Sequence, residues 1–101
     1  MKHLERWKAD HPPTEAELRA SLENMGYRVS RYVYPPGTRF PDHNHTMDKI
    51  DAVLSGRFRM IMNGQEVVLG PGDSLAVPRG MVHSAEVLGD EPVISLDATK
   101  T

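Results

Sequence analysis

The chain has 101 residues, with 12 Lys+Arg against 14 Asp+Glu and a formal net charge of -2. That length suits one domain with one modest core and excludes a second. At 39% hydrophobic and 26% charged residues the composition is that of a globular chain, and the near balance of charge gives no electrostatic case for a nucleic-acid partner. Cysteine is absent and histidine occurs five times; thiolate metal sites, disulfides and cysteine nucleophiles are excluded, and attention turns to imidazole. No run approaches the ~18 apolar residues of a membrane span, and Met1 to Trp7 lacks the apolar core of a secretion signal. No membrane partner is expected, and a cytoplasmic location is the default expectation.

Residues 1–26 form an N-terminal segment. The stretch holding Trp7 and His11-Pro12-Pro13 is expected to be irregular or a short helical turn. A helix is expected over about 14–25, because Thr14-Glu15-Ala16-Glu17 has the spacing of a capping box and Gly26 is a natural stop. Ala16, Leu18, Leu22 and Met25 include the three- and four-residue steps of one apolar face, so the helix packs on the rest of the domain or, on another reading, serves as a lid or dimer arm.

From 27 to 101 the chain reads as all-β, with short alternating or β-branched runs broken by Gly, Pro, Asn and Asp. Strands are expected at Tyr27 to Tyr34, Thr38 to Phe40, Lys49 to Leu54, Arg57 to Met62, Gln65 to Leu69, Ser74 to Val77, His83 to Val87 and Pro92 to Asp97. Asn63-Gly64 is the strongest hairpin signal. So many short strands in so few residues mean a sandwich or small barrel.

His43 and His45 are two apart, and on extended chain their side chains leave the same face with Cα atoms about 6.5 to 7 Å apart. Two imidazoles so placed can converge on one ion. An HxH pair alone is a weak signal, and a third donor must come from elsewhere. His83, at a strand start after a Pro and Gly turn, is the candidate; a satisfied core or surface histidine is the alternative. His3 and His11 read as solvated.

Two runs carry a resemblance. Gly37, His43, Asn44, His45, Lys49 and Gly56 stand at the spacing of the first cupin motif, G-x5-H-x-H-x3-E-x6-G. Gly72, Pro78, Gly80 and His83 stand at that of the second, G-x5-P-x-G-x2-H-x3-N. Across residues 29 to 97 the chain therefore resembles a small single-domain cupin of the RmlC-like superfamily. The resemblance implies a double-stranded β-helix, the jelly-roll barrel, and it implies metal-ligand roles for His43, His45 and His83. It also implies a homodimer, for which the strand Tyr27 to Tyr34 is the expected edge.

Two positions depart from the pattern. Lys49 stands where the motif has a glutamate ligand, and Val87 where the second motif ends in asparagine. An ammonium facing a divalent ion is repelled unless it loses its proton or turns away, so a four-ligand site is not expected. Three neutral imidazoles suit Fe, Zn, Cu, Ni or Mn and leave positions open for water or substrate. Asp51 shares a strand face with Lys49 by period two: it pairs with Lys49, reaches the metal, or is solvated. Lys49 is itself a catalytic candidate, as proton donor or as anchor for a substrate carboxylate. Arg39, Arg59, Asp51 and Met60 are candidates for binding substrate, against the plainer reading of the arginines as surface residues and of Met60 as core.

The function this supports is a metal-binding cupin acting on a small, anionic molecule as a dioxygenase or related oxidoreductase, with lyase or isomerase chemistry ranked lower. The competing class is a non-enzymatic module that binds or senses a small molecule, with a structural metal or none.

Overall fold

The computed structural model describes residues 1–101. In chain order the elements are β1 (Leu4–Glu5), α1 (Glu15–Asn24), β2 (Arg28–Tyr34), β3 (Arg39–His43), β4 (Asp48–Ser55), β5 (Arg57–Met62), β6 (Gln65–Leu69), β7 (Ser74–Val77), β8 (His83–Leu88) and β9 (Val93–Lys100). They build a five-stranded sheet in the order β1-β7-β4-β9-β2 and a four-stranded sheet in the order β3-β8-β5-β6. Every pairing is antiparallel. The expected all-β jelly roll with one short helix is what the chain forms.

Alternation decides which side chains enter the space between the sheets. Phe58, Met60 and Met62 of β5, Val67 and Leu69 of β6, Leu75 and Val77 of β7, Ala85 and Val87 of β8, Val53 of β4 and Val93 of β9 form one buried apolar cluster. On β4 the same parity brings in Lys49 and Asp51, and on β9 Asp97. The interior is therefore apolar toward one end and polar toward the other. Val87, at the motif's asparagine position, belongs to the apolar part. The β5–β6 turn is the Asn63-Gly64 hairpin, with φ of 53° and 73° at the two residues, the left-handed values that a two-residue turn of this kind requires.

The opposite parity of β4 and β9 faces the helix. Ile50, Ala52, Leu96 and Ala98 pack with Leu18 and Leu22 of α1, each leucine contributing about 1.5–3 kcal/mol by burial. Thr14 is the N-cap: its hydroxyl oxygen accepts from the Glu17 backbone N–H, and the Glu17 carboxylate accepts from the Thr14 N–H. That capping box starts α1 at Glu15, one residue inside the expected span.

The stretch from Trp7 to Pro13 is irregular, as expected, but a short strand precedes it. Leu4 and Glu5 are neither loop nor helix but pair with Leu75 and Ser74, adding a strand to the sheet edge. The cause is tertiary. Asp73, buried in the turn before β7, accepts from the Trp7 backbone N–H at 2.9 Å, from Arg6 at 2.8 Å and from the Gly70 N–H at 2.9 Å. The Trp7 side chain lies where a Cβ on Gly72 would stand, and Gly72 has φ +90°. Glycine is required there on both counts.

Candidate metal centre and its cavity

Each histidine is placed by a different piece of backbone. β3 and β8 pair with a register shift between Phe40 and His43, after which His43 stands directly opposite His83. His45 follows in the β3–β4 connection, which is tied to the turn before β8. The Gly80 N–H donates to the His45 carbonyl at 2.8 Å, and the Arg79 N–H donates to the Asp48 carboxylate at 2.9 Å. The two motif runs are thus joined directly, and the three rings meet.

Ring centroids are 4.2 Å apart for His43 and His83, 4.8 Å for His43 and His45, and 5.2 Å for His45 and His83. One nitrogen of each lies within 4.8 Å of the others. Donors about 2.1 Å from a shared ion stand roughly 3 to 3.5 Å apart, so small ring rotations bring these three to bonding distance. The tautomers follow from the partners. Nδ1 of His43 lies 2.7 Å from the Pro41 carbonyl, and Nδ1 of His83 lies 3.0 Å from the Met81 carbonyl. A carbonyl only accepts, so each Nδ1 carries the proton and, in the neutral ring, Nε2 keeps its lone pair. Nε2 of His45 is buried and has no hydrogen-bond partner in the protein. Burial holds His45 below the ordinary imidazole pKa, helped by Lys49, His43 and His83. Burial also lowers His83, helped by His43 and Lys49 against the Met81 carbonyl. Neutral rings with free lone pairs are the state a metal ion needs. The three-histidine group is able to bind a metal.

The rings line a cavity of about 380 Å³ shared with Tyr34, Phe40, Phe58, Met60, Lys49, Asp51 and Asp97. Tyr34, Phe40 and Phe58 form an aromatic wall with centroids 5.0 to 6.2 Å apart. Facing it is a charged group. Lys49 Nζ stands 3.8 Å from Asp51 and 3.5 Å from Asp97, all three nearly buried. Asp97 accepts from the Tyr34 hydroxyl at 3.2 Å and from Ser95 at 2.7 Å. Burial first, and then Asp97 and Asp51, push the Tyr34 phenol up, so it stays a donor. Burial and then Asp97 push the Asp51 carboxyl up to about 6, against the pull of Lys49.

Of the residues singled out in the sequence, His43, His45, His83, Lys49, Asp51 and Met60 come together here. Arg39 and Arg59 do not: they line an adjoining hollow with Asp42, Ser84 and Glu86. There Arg59 is paired with Glu66 at 2.7 Å and with Glu86, and Arg39 lies 3.7 Å from Glu86. Sequence reasoning missed Tyr34, Phe40, Phe58 and Asp97. The signal for Asp97 is its parity: the one carboxylate of its strand, in phase with the buried Val93 and Ser95.

Comparison with known proteins agrees with this arrangement. Over 63 residues the chain is 38% identical to the bifunctional lysine-specific demethylase and histidyl-hydroxylase NO66 of Branchiostoma floridae, covering 58% of this chain and 10% of that protein. Over 51 residues it is 43% identical to quercetin 2,3-dioxygenase of Bacillus subtilis, covering 50% of this chain and 15% of that protein. The chain thus spans a small part of the curated relatives it matches. Among solved structures, the DMSP lyase DddQ of Ruegeria pomeroyi superposes with a TM-score of 0.63 at 30% identity, over 72% of this chain and 38% of that one. Residues 30–99 match the family described as Cupin domain. With the jelly roll and the convergent histidines in place, this chain belongs to the cupin domain family.

Proposed function

We propose that this protein is a metal-dependent oxygenase or related oxidoreductase in which His43, His45 and His83 hold one divalent transition metal and a small molecule binds in the adjoining cavity. The observation that carries the reading is the buried, unpartnered Nε2 of His45, in a cluster whose other two rings have Nδ1 engaged by carbonyls. A buried ring nitrogen left without a partner is costly unless something occupies it. Bound there, a redox-active metal would supply electron transfer and polarisation of a small ligand. The chain's own residues orient that ligand against Tyr34, Phe40, Phe58 and Met60 and set the charge beside it. Lys49 works through the two carboxylates it holds: with Asp51 and Asp97 both near it, its ammonium is a poor anchor for a further anion. The relatives named as a dioxygenase and a hydroxylase support the oxidative reading.

The test is the metal content and oxygen consumption of protein made without a histidine tag. About one Fe, Cu, Ni or Mn per chain is expected, together with oxygen uptake when phenolic or carboxylic small molecules are supplied. His83→Ala is expected to lose the metal at least 10-fold in affinity, and a variant with full occupancy would sink the assignment. A non-redox reading is favoured by one observation, the structural likeness to a lyase. Zinc in the site with no oxygen uptake would select it, or the plain binding module. The same proposal takes the protein as a homodimer through β2, which pairs only with β9 and leaves Tyr32 and Val33 half exposed.

A further inference from the structure

Asp51 and Asp97 stand directly opposite one another on the neighbouring strands β4 and β9. Like charges at opposed positions repel, and here both side chains are nearly buried, at 8% and 13% exposure. One ammonium serves two carboxylates, so the trio carries one uncompensated negative charge when all are ionised. The two aspartates are held differently. Asp97 accepts from the Tyr34 hydroxyl and from Ser95. Asp51 has only Lys49, at 3.8 Å, beyond hydrogen-bond reach, and it lines the cavity shared with the three histidines and the aromatic wall. A carboxylate more than nine-tenths buried, without a donor and open to a cavity, lacks a partner that the fold does not supply.

We infer that Asp51 is the proton-accepting residue of this cavity, and that the ligand is a small planar molecule with an acidic hydroxyl, a phenol or enol, lying against Tyr34, Phe40 and Phe58. This rests on the proposed function for its site but not on the metal. The O–H bond of the ligand breaks and a new O–H bond forms on Asp51; the electron pair stays on the ligand oxygen, which becomes an anion, and nothing is oxidised. The trio passes from a charge of -1 to zero, with Lys49 then balancing Asp97 alone. The other titratable groups facing the cavity are His43, His45, His83 and Tyr34. Of these the phenol already donates to Asp97. Lys49 stands at the position of the motif glutamate, and Asp51 lies two residues along the same strand face.

The test uses the full chain stripped of metal, with nitrocatechol, whose visible absorption reports ionisation of its hydroxyl, and nitroanisole as the same kind of ring without one. At pH 6 wild type is expected to bind nitrocatechol as the anion and at least 10-fold more tightly than nitroanisole. Asp51→Asn is expected to bind it as the neutral form and about 10-fold more weakly, while nitroanisole changes less than about 3-fold. If Asp51→Asn folds poorly, Asp51→Ser, a smaller neutral side chain, should also bind the probe in the neutral form, while Asp51→Glu, which keeps the carboxylate, should leave the bound probe ionised. An unchanged spectrum in Asp51→Asn, or no preference of wild type for nitrocatechol, overturns the inference. A metal-free protein that behaves as expected but takes up no transition metal would overturn the proposed function and leave this inference standing.

Discussion

At the scale of single residues, the consequential substitution is Lys49 in the place of a motif glutamate. Its charge is not left to face a cation; it is absorbed by Asp51 and Asp97 at 3.8 and 3.5 Å. Removing one member of a buried ion cluster leaves the others uncompensated, which costs far more than an exposed pair is worth. Lys49→Met is therefore expected to destabilise the protein by about 3 kcal/mol in denaturant titration. Lys49→Met with Asp51→Asn should recover most of that loss, because the remaining carboxylate keeps its donors Tyr34 and Ser95. Additive losses in that cycle would show that the three charges do not act as one group. That Lys49 and Asp51 share a strand face was legible from period two, which left open whether Asp51 pairs with Lys49, reaches a metal or is solvated. Asp97 was not, since its partner strand could not be named without the sheet order.

At the scale of elements, α1 and the N-terminal strap cover the side of the five-stranded sheet away from the histidines. Leu18 and Leu22 pack on Ile50, Ala52, Leu96 and Ala98, while Lys49, Asp51 and Asp97 on the same strands line the cavity. Leu22→Ala should cost about 2–4 kcal/mol of stability and leave metal affinity of the folded protein unchanged, measured by competition with a chromophoric chelator. A large affinity change would show instead that the helix works as a lid. The element that does position the site is the turn before β8, held to the β3–β4 connection through Gly80–His45 and Arg79–Asp48. Asp48→Ala is expected to weaken metal binding about 10-fold, the usual effect of losing a contact that orients a ligand, with little change in stability because the pair is exposed. The helix was readable from its cap and apolar spacing. β1 was not, because two residues carry no periodicity and their place depends on Asp73 and Gly72, more than sixty positions away.

At the scale of the whole molecule, two groups of titrations oppose one another. His45 and His83 are held below 6.5 chiefly by burial, so the unfolded chain takes their protons first and stability falls as pH drops from about 6.5. Asp51 is raised from 3.8 to about 6 by burial and by Asp97. Its carboxyl is protonated first in the folded chain, so its contribution is fully present below 3.8 and is lost as pH rises through about 6. In the metal-free protein, Asp51→Asn is accordingly expected to be more stable than wild type at pH 7.5, with the advantage shrinking between pH 6 and 4. Thermal melts across that range check it, and a constant difference would mean that Asp51 is an ordinary solvated carboxylate.

What the amino-acid sequence determined by itself is the class of fold and the chemistry of the donors. Alternating apolar runs, the Asn63-Gly64 turn and the two motif spacings are local patterns, and the absence of cysteine excludes thiolate and turns attention to imidazole as the metal donor. The tertiary structure decided which residues share the cavity. Strand order brought Asp97 opposite Asp51, a register shift in β3 set His43 against His83, and a strap from the N-terminus closed the sheet edge. It also took Arg39 and Arg59 out of the cavity and gave them to Glu66 and Glu86. Period two names the face a side chain takes, but which strand lies next to it is a long-range pairing that no local pattern encodes.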